Sequence, residues 1–176
     1  MTTIGVAIAI PEPCGSELQS HRASFGDMMA EAIPTHLTLL PPSEVDPRQL
    51  DAIDDHLGLV ASKHAAFYLR MRGTATFRPV SPVVFVAVTE GISSCELLAE
   101  DIRSGPLQRD LAYPYHPHVT VAHHLDDEAL DTASVTLADY QCEFCVESFS
   151  LYIHGSDNRW RPHQDFKLAP SGDDSR

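Results

Sequence analysis

The feature that most constrains this chain is a short string that occurs twice. Residues 36–39 read His-Leu-Thr-Leu and residues 118–121 read His-Val-Thr-Val, 82 positions apart (36 to 118). In a strand, side chains two residues apart point to the same face. Each string therefore predicts an imidazole and a hydroxyl side by side on one face, His36 with Thr38 and His118 with Thr120, above a face of Leu or Val.

The surroundings repeat as well. Before the first string, IGVAIAI (4–10) is a short apolar run ended by Pro11 and Pro13, which predicts a buried strand. Leu18, Arg22, Phe25 and Met29 keep helical spacing over about 15–30, with Gly26 against it. THLTLLPP is a strand bounded by Pro34 and by Pro41 and Pro42. Asp46, Pro47 and Gln49 have the pattern of a helix start, and Leu50, Ile53, Leu57 and Val60 form its apolar stripe. Residues 66–72 then alternate as a strand, with Phe67, Leu69 and Met71 on one face. After a Pro-containing connection the order recurs: a strand at 83–88, a helix at 93–103 and a strand at 118–122. A helix capped by Asp126 or Asp127 follows, with strands at 143–153 and about 160–168. A shift of apolar phase predicts a bulge or turn near 147–148. The fold class expected is α+β: two pseudo-symmetric lobes, each an antiparallel sheet backed by helices, around a central cleft. The internal repeat spans about 4–73 and 83–168, within one bilobal domain over 1–170. The polar tail 171–176 is expected to be disordered.

Composition narrows the function classes. At 176 residues and 43% apolar, the chain can bury one domain core without disulfide staples. No stretch approaches the roughly 20 apolar residues of a membrane span. The N-terminal run lacks a basic region and a cleavage site, so a cytoplasmic protein is expected; separately, a monomer is expected. The cysteines are Cys14, Cys95, Cys142 and Cys145. The single CxxC at 142–145 has no second pair to complete a zinc site and reads as buried structure; disulfides are not expected in the cytosol. The net charge of −13 argues against a broad surface for long RNA or DNA, since such affinity rests on Lys and Arg at phosphates. A nucleotide or an RNA end needs only a local positive pocket.

Two His/Thr pairs suit displacement at phosphorus. One group must take a proton from the incoming oxygen and another must give one to the leaving oxygen. With a pKa near ~6.5, one imidazole can be neutral and its partner protonated near neutral pH. Each threonine can donate a hydrogen bond to a non-bridging phosphate oxygen, where negative charge builds up.

These strings, THLTLLPP and YHPHVTVAHH, resemble those of the 2H phosphoesterase superfamily, which carries two His-x-Thr/Ser motifs. Within it the chain looks most like bacterial proteins of the 2′-5′ RNA ligase family, with the repeated element order extending the likeness over residues 4–168. The resemblance implies a bilobal fold with His36, Thr38, His118 and Thr120 lining the cleft. It implies metal-independent hydrolysis of 2′,3′-cyclic phosphate ends and, in some members, 2′-5′ RNA joining. No metal and no other cofactor is implied. One departure stands out: many members place a basic residue, often Arg, just after the second motif's strand, and here His123 and His124 follow Ala122. That weakens ligation more than phosphodiester chemistry.

Other residues carry two readings each. Tyr115 stacks on a substrate base or packs at the strand entry. His116, His118 and His124 share strand parity and make a metal site conceivable, but Pro117 interrupts them and no carboxylate sits at ligand spacing; no metal is expected. Arg70 and Arg72 bind phosphate or form a solvated edge, the latter favoured. Arg159, Trp160 and Arg161 contribute to a nucleotide site or to a turn. For the whole chain the alternative to an enzyme is a binding module that kept the cleft for a nucleotide or phosphorylated metabolite. Four intact motif residues favour the enzyme.

Overall fold

Two four-stranded antiparallel sheets meet edge to edge in the middle of the molecule. The structure, a computed structural model, describes residues 1–172; the end of the tail, 173–176, lies outside the described residues. In chain order the elements are β1 (Thr2–Ala9), α1 (Cys14–Ser24), β2 (His36–Val45), α2 (Leu50–Lys63), β3 (Phe67–Thr76), β4 (Val83–Glu90), α3 (Ile92–Ile102), β5 (His118–His123), α4 (Asp127–Thr136), β6 (Gln141–Val146), β7 (Ser148–His154) and β8 (Trp160–Lys167). One sheet has the order β2-β1-β7-β8 and the other β5-β4-β3-β6. The α+β class with antiparallel sheets and helices is as the sequence implied. The sheets do not divide the chain at its midpoint: β3 joins the second sheet, and β7 and β8 return to the first.

Both motif strands are sheet edges, and they lie against each other without sharing a sheet. The helix before each motif strand packs across to the opposite one: α1 against β5, and α3 against β2. Gly15 permits the tight start of α1, because a Cβ there would come within 2.4 Å of the Ile10 carbonyl oxygen. Each motif strand is held from below by fully buried side chains, Leu37 and Leu39 in β2 and Val119 and Val121 in β5. Burying each contributes about 1.5–3 kcal/mol. Asp46 accepts a hydrogen bond from Arg48 N at 2.9 Å and starts the short 3-10 turn Pro47–Gln49 that leads into α2. Asp126 accepts from Ala129 N at 2.8 Å and caps α4.

Four local expectations are corrected. The first helix ends at Ser24 rather than near 30, because Gly26 takes φ +90° and turns the chain; Met29 falls in a separate 3-10 turn, Met28–Glu31. The strand expected to end at Pro41 and Pro42 runs on to Val45. An edge strand tolerates prolines on its open side, and the register shifts opposite them, with Ile4 paired to Ser43 and Val6 to Leu40. The phase change near 147 is a change of sheet: β6 pairs with β3, Glu147 intervenes, and β7 pairs with β1. Finally, Cys14 and Cys142 form a disulfide, where none was expected. They are 128 residues apart in sequence, with Cα atoms 6.4 Å apart across the α1–β6 contact. Cys142 is buried, but Cys145 is exposed, since residues three apart on a strand face opposite ways. No described helix is long and apolar enough to cross a membrane.

Candidate active site

The two motif strands carry the same irregularity. In β2, Ala9 pairs with His36 and Ala7 with Thr38, and the register then shifts so that Val6 meets Leu40. In β5, Ala87 pairs with His118 and Phe85 with Thr120, and the register shifts so that Val84 meets Ala122. A bulged residue thus follows each threonine, Leu39 in one strand and Val121 in the other. The bulge turns two successive residues into the core: Leu39 and Leu40, and Val121 and Ala122, are all buried. In β5 the next residue, His123, pairs with Val83 and comes back to the face that holds His118 and Thr120; in β2, Pro42 joins His36 and Thr38 in lining one cavity.

The two motif strands lie against each other, and His118 is near enough to His36 for its charge to act on that ring. Tyr115 ties the two strands together: its hydroxyl donates to the Thr38 carbonyl oxygen at 2.8 Å, and its ring packs against the core. Tyr115 therefore sits at the strand entry and spans the two motifs, half-buried.

Each histidine is oriented by its own backbone. His36 Nδ1–H donates to the Pro34 carbonyl at 2.8 Å, and His118 Nδ1–H donates to the His116 carbonyl at 2.7 Å. A carbonyl only accepts, so the proton of the neutral ring is on Nδ1 and Nε2 is the atom left to exchange a proton. Burial lowers the His36 pKa to about 4; the carbonyl bond opposes that, and the charges of Arg22 and His118 add to it. Burial also lowers His118, again opposed by its carbonyl bond and reinforced by His116. Both rings are half-buried and neutral at neutral pH. The Thr38 and Thr120 hydroxyls make no hydrogen bond among the described residues and are not sealed from solvent.

The two sides of the groove differ. Beside His36 and Thr38 lies a half-open apolar cavity lined by Ile33, Pro34, Leu40, Tyr152 and Trp160. Beside His118 the wall is aromatic: Phe77 and Phe85 pack at 4.4 Å between ring centroids, and His118 stands edge-on to Phe77 at 5.0 Å. Trp160, weighed in the sequence with its two arginines, lines the cavity, whereas Arg161 pairs with Asp157. Arg70 pairs with Glu90 and Gln141 on the exposed side of β3, and Arg72 is exposed. The three histidines of the conceivable metal site do not converge: His116 packs on Phe77 and Phe85, and His124 stacks on His123. Among the described residues no group of three His, Cys, Asp or Glu is arranged to hold a metal ion.

Sequence reasoning missed the buried pair behind the groove, Arg22 and Asp27, which are 8% and 4% exposed. Its signal was present: an arginine on the otherwise apolar stripe of the first helix, with an aspartate five residues on.

Comparison with known proteins agrees with this architecture. Residues 10–158 match the 2′-5′ RNA ligase superfamily. A candidate phosphoesterase of Bacillus thuringiensis (strain Al Hakam) is 30% identical over 139 residues, 78% of this chain and 80% of that protein. E. coli LigT, solved in complex with NADP+, superposes with a TM-score of 0.69 at 20% identity over 96% of this chain and 98% of its own. A protein of Thermus thermophilus superposes with a TM-score of 0.65 at 18% identity, covering 97% of this chain and all of its own, 100%. At those identities the structural likeness is one of fold. The chain belongs to the 2′-5′ RNA ligase superfamily, the 2H phosphoesterases. Family and fold together support an enzyme of the phosphoesterase kind.

Proposed function

We propose that this protein opens a cyclic phosphate, a 2′,3′-cyclic phosphate on a nucleotide or an RNA end, with His36 and His118 as the proton-transferring pair and Thr38 and Thr120 as donors to the phosphate. The observation that carries this reading is the matched pair of sites: two rings fixed in the same tautomer by the same backbone bond, each with a free hydroxyl on the same face, on strands that lie together. Water attacks phosphorus and one imidazole Nε2 takes its proton. The P–O bond to one ribose oxygen breaks, and that oxygen takes a proton from the other ring, leaving a phosphomonoester. The same ring opening with a ribose 5′-hydroxyl in place of water is a 2′-5′ joining reaction, in which the bond from phosphorus to the 3′ oxygen breaks and that oxygen takes the proton. Because both proton transfers are supplied by side chains, the step needs no metal.

The apolar cavity beside His36 and Thr38 suits the organic part of such a substrate, with Tyr152 and Trp160 offering aromatic surface. E. coli LigT has been solved with 3′-AMP and with ATP, which supports a nucleotide here. The charge of −13 favours short ends over long chains. The test is turnover of 2′,3′-cyclic nucleotides with and without EDTA. Activity should persist in EDTA, and His36→Ala or His118→Ala should each lower kcat by on the order of 10²–10⁴-fold. Loss of turnover in EDTA with recovery on adding a divalent ion, or full activity in either variant, would refute the mechanism.

A further inference from the structure

We propose that Arg22 supplies the fixed positive charge that holds the phosphate in this groove, reaching it from α1 and locked in place by Asp27 against the end of β5. The proposal rests on the phosphodiester reading above and names the group that recognises the anion.

The geometry is that of a built site. Arg22 Nε donates to Asp27 Oδ2 at 2.8 Å. The same oxygen accepts from His123 N at 3.0 Å, and Asp27 Oδ1 accepts from Met29 N at 3.0 Å. The carboxylate is thus held by donors from α1, the turn after it and β5, and it fixes the guanidinium in one orientation. An arginine has five N–H donors, and Nε–H is the one that this contact uses. The two terminal amino groups have no acceptor among the described residues, yet they are not sealed from solvent. A buried pair that served structure alone would be expected to satisfy them.

The pair stands beside the motif strands. The bulge after Thr120 brings His123 to the face of His118 and Thr120, and Arg22 is anchored directly behind that residue. Arg22 also lies near enough to His36 for its charge to disfavour the protonated ring. His123 does not supply the charge: burial, His124 and Arg22 all favour its neutral form. Three of the other arginines are paired with carboxylates, Arg48 with Asp46, Arg78 with Asp127 and Asp131, and Arg161 with Asp157. A cyclic phosphodiester is an anion, and its non-bridging oxygens gain charge as water attacks. Two parallel N–H donors from a planar guanidinium match two such oxygens.

The test uses inorganic phosphate as probe, with binding followed by calorimetry on the whole chain. Arg22→Lys keeps the charge and loses the fork. The double variant R22Q/D27N replaces the ion pair by a neutral hydrogen-bonding pair, so that no lone charge is left buried. Phosphate should bind wild type, more weakly in Arg22→Lys, and about 10–100-fold more weakly in R22Q/D27N. The His36 ring should titrate at higher pH in R22Q/D27N by NMR, because a nearby positive charge has gone. Equal phosphate affinity in wild type and R22Q/D27N overturns the proposal, as does a folded wild-type protein that binds no phosphate. Arg22-dependent phosphate binding with no turnover of any cyclic phosphate would sink the enzymatic reading and leave the anion site standing.

Discussion

Replacing His36 by Asn keeps an N–H able to reach the Pro34 carbonyl and removes the titrating ring. In the folded chain burial holds His36 down from 6.5 to about 4. In the unfolded chain it titrates near the ordinary value. Between those two pH values the unfolded state binds a proton that the folded state refuses, so stability rises with pH across the window. The His36 contribution is fully present above 6.5, declines as pH falls, and is gone below about 4. At about 1.4 kcal/mol per tenfold change in proton affinity, it amounts to about 3 kcal/mol. Urea denaturation of wild type and His36→Asn from about pH 7 down to pH 4 isolates the ring, because the many carboxylates titrate alike in both proteins. The wild-type curve should fall below that of the variant by about this amount at the acid end. Parallel curves, or a His36 ring resonance titrating near 6.5, would show that the groove is too wet to shift the ring. The same physics sets the rate profile. A bound phosphate favours the protonated rings, so both limbs of the kcat profile should lie at higher pH than those of kcat/KM.

Tyr115→Phe removes the hydroxyl that donates to the Thr38 carbonyl at 2.8 Å. It should cost about 1 kcal/mol of stability and lower kcat by loosening the two motif strands; unchanged values for both would show that the strands need no tie. The Cys14–Cys142 disulfide closes a span of 128 residues, for which loop entropy gives an upper value of about 5 kcal/mol. Reductant should therefore lower the urea midpoint of wild type and leave Cys14→Ser unchanged, whereas four titratable thiols in the native protein would contradict the link.

Local pattern was legible wherever one physical rule decides a short segment. The period-2 strings around His36 and His118 became β2 and β5 with their leucines and valines in the core. Asp46 and Asp126 cap where the sequence placed helix starts, because a cap depends on a few adjacent residues. The end of the first helix was misjudged where periodicity and a glycine disagreed; Gly26 at φ +90° prevailed because no contact outweighed the turn it favours. Prolines 41 and 42 were misread as a stop because their tolerance depends on β2 being an edge, which is a property of the sheet and not of the segment.

The sequence by itself determined the residue types of the chemistry and the face on which each His/Thr pair stands, since strand parity is a local property of the backbone. Tertiary structure alone decided that β2 and β5 are neighbouring edges and that a bulge after each threonine returns His123 to the groove face. It also decided that Tyr115 joins the strands, that Cys14 meets Cys142, and that Arg22 stands behind the site with Asp27. Apart from the Arg22–Asp27 contact itself, these arrangements depend on residues far apart in sequence, whose separation carries no information about their distance. They are brought together by the burial of two sheets and their helices, which no single segment encodes.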